Sequence, residues 1–208
     1  MDKKLYLASQ SVARGRLLKE AGFVFDVISQ DADEKSCDWG MPIQKLTSHI
    51  ADLKMKAVSV PSGEKEGALC WIITADSLCV DKDGRAFGKP LNHEDAVRMV
   101  RYVRNGTVAG TSFCIERRRW ERSQWITEEQ YIDYAQGECI LDVPDDDIEW
   151  YFKKLKELSG LDYLKLAGAF SITGLGAQFM KDVSGSYTAI LGLPMYELRQ
   201  GLKKTKFL

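Results

Sequence analysis

A glycine-rich phosphate loop, a Cys-x-x-Cys pair and any long apolar run are all missing from this 208-residue chain. Without glycines at Walker A or Rossmann spacing, a bound phosphate would need another source of backbone N–H groups and cations. No stretch approaches the roughly 20 apolar residues of a membrane span. The N-terminus, "MDKKLYLAS", has too short an apolar run for a signal peptide, so the chain is expected in the cytoplasm and off the membrane. An excess of one charge is also lacking: 29 Lys and Arg stand against 30 Asp and Glu. With a net charge of −1, nucleic acid is not an expected partner. His49 and His93, the only histidines, lie in helix-like segments and read as surface or structural residues. Cys37, Cys70, Cys79, Cys114 and Cys139 are odd in number and scattered, which suits reduced thiols rather than disulfides or zinc. No Ser-His-Asp or Cys-His arrangement stands out, which disfavours nucleophilic catalysis.

What is present is an alternation of strand-like and helix-like segments. "KLYLAS" reads as a strand, "SVARGRLLKEAG" as a helix capped by Ser11 and stopped by Gly22, and "FVFDVIS" as a second strand. In the next helix Ile43, Leu46, Ile50, Leu53 and Val58 recur at near-helical spacing. "ALCWIITADSLCV" is apolar and β-branched enough for a buried central strand, and the Asp-Gly of "DKDGR" signals a turn after it. "NHEDAVRMVRYVRNG" reads as a helix capped by Asn92 and ended by Asn105-Gly106. Residues 108–115, 123–134 and 138–141 read as strands separated by a charged hairpin, "ERRRWERS". "VPDDDIEWYFKKLKELSG" is a further helix with Asp145 as its cap. Without repeats or linkers, residues 1–208 form one expected α/β domain, a twisted mixed β-sheet flanked by helices.

Few residues in this framework are placed to do chemistry. A strand ending at Ser9 and a helix starting after Ser11 expose free N–H groups at a positive helix terminus, with Arg14 beside them. Such a junction is either an ordinary cap or a seat for an anion. The acids of "DADEKS", Asp31 to Ser36, suit a solvated loop or oxygen ligands for Mg2+. Asp76 is more telling, because ionising a lone carboxylate in so apolar a strand is costly unless a cation or metal faces it. Lys54 and Lys56 lie on the second helix, Lys56 on an expected solvated face, and Lys89 is aimed by its Gly-Lys-Pro turn. The glycines of "LAGAFSITGLGAQFMKDVSGSYTAILGLP" imply tight turns, which a structural β-hairpin would explain. The interleaved arginines and tryptophans of "ERRRWERSQW" suit an exposed hairpin or dimer contact, or a stacking surface for RNA.

"LASQSVARGRLL", Glu34, "IADLKMKAV", "TADSLCV", "GKPLNHEDAVRMV" and "AGAFSITGLGAQFMKDVSGSYTAILGLP" occur in an order and spacing that resembles the Maf family of nucleoside triphosphate pyrophosphatases. The resemblance spans almost the whole chain. It implies two lobes around a deep cleft, in a fold related to that of the inosine triphosphate pyrophosphatases, and a homodimer. It also implies cleavage of a nucleoside triphosphate to monophosphate and pyrophosphate with a divalent metal, Mg2+ or Mn2+. By motif, Ser9, Ser11 and Arg14 would line the triphosphate, and Glu34 and Asp76 would bind metal. Asp76 would also be the proton acceptor, and Lys54 and Lys89 would neutralise phosphate charge.

The departures bear on substrate choice. Pyrimidine-specific members read S-x-S-P-R-R where this chain has Ser9-Gln10-Ser11-Val12-Ala13-Arg14, and I-Q-G where it has Ile172-Thr173-Gly174. Ala13, Thr173 and Ser77, the residue after the proton acceptor, therefore mark expected specificity positions. A missing arginine and a missing amide remove charged and bidentate hydrogen bonding, which points away from thymidine or uridine triphosphate and toward a modified, non-standard or purine nucleotide. A nucleotide-binding regulator of cell division or metabolism with weak or no turnover is the alternative.

Overall fold

The computed structural model describes residues 3–81, 83, 84 and 86–208. The chain divides into two compact units, one of Met1–Asp76, Thr111–Ala135 and Leu191–Leu208, the other of Ser77–Gly110 and Gln136–Ile190. Three of the four boundaries fall inside long strands, β3 (Leu69–Val80), β5 (Thr107–Glu121) and β6 (Gln124–Leu141). With β1 (Lys4–Leu7), β2 (Asp26–Val27), β4 (Ala86–Phe87) and β7 (Met180–Gly185), they make a seven-stranded sheet in the order β2-β1-β3-β5-β6-β7, β4 pairing with β3. Pairing is mixed: β1 runs parallel to β2 and β3, whereas β3–β4 and β6–β7 are antiparallel. Helices flank the sheet, as the α/β pattern of the sequence requires.

The first unit is organised by strand alternation. Leu5, Leu7, Trp71, Ile73, Phe113 and Ile115 join one cluster with Leu17 and Leu18 of α1 (Val12–Glu20) and Leu198 and Leu202 of α6 (Met195–Lys204). Tyr6, Cys70, Ile72 and Cys114 pack on the opposite face against Ala51 and Met55 of α2 (Ile43–Lys56). Because side chains alternate with period two, Thr74 and Asp76 fall on the face that α2 covers.

Helix α1 begins and ends where the sequence places it. Ser11 Oγ accepts from Arg14 N, and Gly22, at φ +81°, closes a C-terminal motif in which Gly22 N donates to Lys19 O and Phe23 N to Leu18 O. The second expected strand shrinks to Asp26–Val27. Val58, expected in α2, lies beyond its end in an isolated antiparallel bridge to Gln30.

In the second unit, α3 (His93–Val103) is capped by Asn92, whose Oδ1 accepts from Asp95 N at 2.9 Å, and Gly106 follows at φ +97°. Helix α4 (Asp145–Ser159) corrects the assigned cap. Pro144 occupies that position, and Asp145 is the first helical residue, with its carboxylate paired to Arg101 and Arg104. Tyr151 of α4 stacks on Phe170 with ring centroids 4.5 Å apart. The glycine-rich segment is not a hairpin: 3₁₀ turns lead into β7, which pairs with β6, followed by the short α5 (Tyr187–Ile190). Asp83 and Gly84 of the expected turn are described, Gly84 at φ +80°, whereas Lys82 and Arg85 lie outside the described residues, as do Met1 and Asp2 of the N-terminal segment.

The charged hairpin is also revised. Strand β5 runs on through its arginines to Glu121, and only Arg122 and Ser123, both at positive φ, make the turn into an unbroken β6. Arg117 and Arg119 both reach Glu128, and Arg118 reaches Glu116, so cross-strand and neighbouring ion pairs hold a charged sequence in strand conformation. Helix α6 has no counterpart among the expected elements, although Met195, Leu198 and Leu202 carry a helical spacing.

Candidate active site

Seven of the expected site residues are built into the first unit. Ser9 follows β1, whose pairing with β3 extends one step further through Ala8 N to Ile73 O at 2.9 Å. Ser9 Oγ accepts from Ser11 N at 3.3 Å and from Arg14 Nη1 at 3.1 Å, which leaves its own O–H to donate. Arg14 Nε donates to the carbonyl of Gly192 at 2.8 Å. The guanidinium is thereby held against the start of α1, where unsatisfied N–H groups and the helix dipole favour an anion. Burial lowers the Arg14 pKa, and the charges of Asp76 and Glu34 oppose that shift; an arginine so placed keeps its charge. The cap by Ser11 thus lies within the same arrangement of N–H groups and guanidinium that the expected anion seat calls for.

On the α2 face of the sheet, Lys54 Nζ lies 2.7 Å from Asp76 Oδ1 and 3.1 Å from Glu34 Oε1. Lys54 and Asp76 are buried, whereas the Glu34 side chain is 41% exposed, at the start of a 3₁₀ turn, Glu34–Ser36. Asp76 Oδ2 is buried and has no hydrogen-bond partner among the described residues. A carboxylate oxygen in that state is an open acceptor, at a position where desolvation makes an unmatched charge expensive. Of the other acids in that loop, Asp33 caps the 3₁₀ turn through Lys35 N at 3.1 Å and Asp31 is exposed.

No group of three or more His, Cys, Asp or Glu able to hold a metal occurs among the described residues. Glu34 and Asp76 alone fit a hard cation that takes its remaining oxygens from water and substrate phosphates, the usual manner of Mg2+, and do not fit a cage made by protein alone. The open Asp76 Oδ2 supplies the acceptor such a cation requires.

Ala13 lies half-buried in the first turn of α1 and offers no polar group. The remaining expected residues belong to the second unit. Lys89 is exposed in the loop after β4, pinned by Gly168 N donating to Gly88 O at 3.0 Å. Thr173 precedes the 3₁₀ turn Gly174–Phe179, with Oγ1 3.1 Å from Ser171 Oγ, and Ser77 follows Asp76 on β3. Lys56 pairs with Asp52 on an exposed face, as expected. His49 is exposed, and His93 meets Tyr163 and Glu149 at the surface. The cysteines are all free thiols. No helix of the described residues is long and apolar enough to cross a membrane. Two contributors escaped sequence reasoning. The Gly192 carbonyl carries no side-chain signal, and Thr74, which donates to Ala51 O, looks like one more β-branched strand residue.

The chain thus joins a mixed α/β sheet to an arginine at a helix N-terminus and a lysine set between two carboxylates. The family model described as Maf-like protein matches residues 4–205, and the chain belongs to the Maf family. Among its relatives, a dTTP/UTP pyrophosphatase of Hydrogenovibrio crunogenus is 30% identical, over 100% of this chain and 98% of that protein. A nucleoside triphosphate pyrophosphatase of Haemophilus ducreyi is 31% identical, over 98% of this chain and 96% of that protein. A dTTP/UTP pyrophosphatase of Anaeromyxobacter dehalogenans is 31% identical, over 100% and 96% respectively.

Proposed function

We propose that the protein hydrolyses a nucleoside triphosphate to its monophosphate and pyrophosphate. The observation that carries this reading is Lys54 set between Glu34 and Asp76, one oxygen of Asp76 being open and Arg14 within electrostatic reach of both acids, in a chain related over its full length to pyrophosphatases.

The residues divide the work by chemistry. Ser9, Arg14 and the N-terminus of α1 bind phosphate oxygens, and Lys54 meets the charge that spreads over them in the transition state. Asp76 orients the attacking water and accepts its proton. By its motif, Lys89 would be a third cation for the phosphates. Glu34 and Asp76 would hold Mg2+ or Mn2+, which when bound polarises phosphoryl oxygens and lowers the pKa of water. Ala13, Ser77 and Thr173 set the choice of base, and with a small apolar side chain at Ala13 a modified or non-standard nucleotide is the proposed substrate, its removal the proposed role.

The test is a panel of standard and modified triphosphates, scored for monophosphate and pyrophosphate with and without Mg2+ or Mn2+. The reading requires metal-dependent pyrophosphate release that Asp76→Asn and Glu34→Gln abolish while the circular dichroism spectrum is kept. Release of orthophosphate instead, or near-normal turnover by both variants, would overturn it.

A further inference from the structure

The layer between α2 and the sheet buries the polar side chains of Thr47, Lys54, Thr74, Asp76 and Ser112. Along β3 the face toward α2 reads Cys70, Ile72, Thr74, Asp76, apolar first and then polar. Thr74 is fully buried, and its Oγ1 donates to the Ala51 carbonyl at 2.7 Å. Two residues further along β3, about 6.6 Å, stands Asp76. Three residues further along α2, about 4.5 Å, stands Lys54. The Thr74–Ala51 bond and the Asp76–Lys54 pair are therefore neighbouring rungs of one strand–helix contact.

We infer that Thr74 is a positioning residue for the Lys54–Asp76 pair. Its hydroxyl fixes how far α2 is advanced along β3, and that register decides whether the ammonium, at the end of a flexible stem, lands on Asp76 Oδ1. Valine would fill the same space without the hydroxyl, so packing alone does not call for threonine there. A displacement of about 1 Å in such a group can cost about a hundredfold in rate. A second hydroxyl bridge provides the comparison. Ser112 of β5 meets Thr47 Oγ1 at 2.7 Å and Ser48 Oγ at 2.9 Å, tying the same helix to the sheet well before Lys54. Both bridges hold α2 down, but of the two only Thr74 acts beside the pair, where Arg118 Nη2 also donates to the Met55 carbonyl at 3.2 Å.

The kinetic part of the test rests on the pyrophosphatase reading, and a chemical part does not. Thr74→Val, Thr74→Ser and Ser112→Ala are compared for kcat and KM of pyrophosphate release, for urea midpoint, and for the acylation rate of the Lys54 amine read by mass spectrometry. Thr74→Val is expected to lower kcat about tenfold or more and to speed acylation of Lys54 several-fold. Thr74→Ser restores both, and Ser112→Ala at a similar loss of stability leaves both near wild type. Wild-type kcat and Lys54 protection in Thr74→Val would overturn the inference, as would equal losses in Ser112→Ala. If the wild-type protein released no pyrophosphate, the functional reading would fall, and the acylation rates would still decide the role of Thr74.

Discussion

Arg14 Nε donates at 2.8 Å to the carbonyl of Gly192, a partner 178 positions later in the chain. That bond turns the guanidinium so that Nη1 reaches Ser9 Oγ at 3.1 Å, and the proposed anion seat at the start of α1 draws on both ends of the first unit.

Replacing Arg14 by Lys separates charge from geometry. A lysine keeps the positive charge but cannot serve Gly192 and Ser9 at once, because its donors sit on one nitrogen rather than on a planar fork. We expect KM for the nucleotide to rise about tenfold, equivalent to about 1.4 kcal/mol, with a smaller fall in kcat. Steady-state pyrophosphate release measures the split.

Removing Lys54 and removing Asp76 are not equivalent. Lys54→Met leaves the buried Asp76 carboxylate without its cation and should cost about 3 kcal/mol, whereas the double variant Lys54→Met/Asp76→Asn should recover most of that loss. Urea unfolding of the two singles and the double gives the coupling. With Lys54 gone, Mn2+ has Glu34 and Asp76 to itself, so it should raise the melting temperature of Lys54→Met more than that of the wild type.

Burial pushes the Tyr151 phenol up to about 12, only partly opposed by the Ser171 N–H that donates to its oxygen at 2.9 Å. The folded pKa lies above the ordinary value of 10.0. The stability Tyr151 contributes is therefore complete below about pH 10 and is lost as pH rises toward about 12. Tyr151→Phe should lose about 1 kcal/mol at neutral pH and show a shallower alkaline decline. Urea midpoints between those limits provide the check.

Gly22 tests the end of α1. It sits at φ +81° with nothing within 4 Å of an added Cβ, so Gly22→Ala meets only backbone strain. A loss of about 1 kcal/mol is expected, less for Gly22→Asn, with pyrophosphate release unchanged. Chemical denaturation alongside the activity assay distinguishes this from damage to the seat.

The parts legible in the sequence were those written in short range. Ser11, Gly22 and Asn92 announce helix ends by local hydrogen-bonding chemistry, and Asp76 advertises its need for a counter-charge by standing in an apolar strand. Lys54 was half legible: Leu46, Ile50 and Lys54 recur every four residues on one helical face, which separates it from the exposed Lys56. Strands β5 and β6 were cut short because their charged residues find partners on the neighbouring strand, and a local pattern does not display that pairing. The Gly192 carbonyl was beyond reach, since a main-chain acceptor brought in by tertiary folding leaves no mark on residue identity.

The final segment of the first unit also sets an order of events during synthesis. Leu193, Leu198 and Leu202 complete the core around α1, and the Thr205 carbonyl receives the indole N–H of Trp71 at 2.9 Å. A nascent chain halted before Gly192 would already contain Ser9, Arg14, Lys54 and Asp76, yet lack the acceptor that orients Arg14. The second unit can close on the ribosome while the first waits for its last residues to emerge. The contact that orients Arg14 is therefore completed only after residue 192 has emerged.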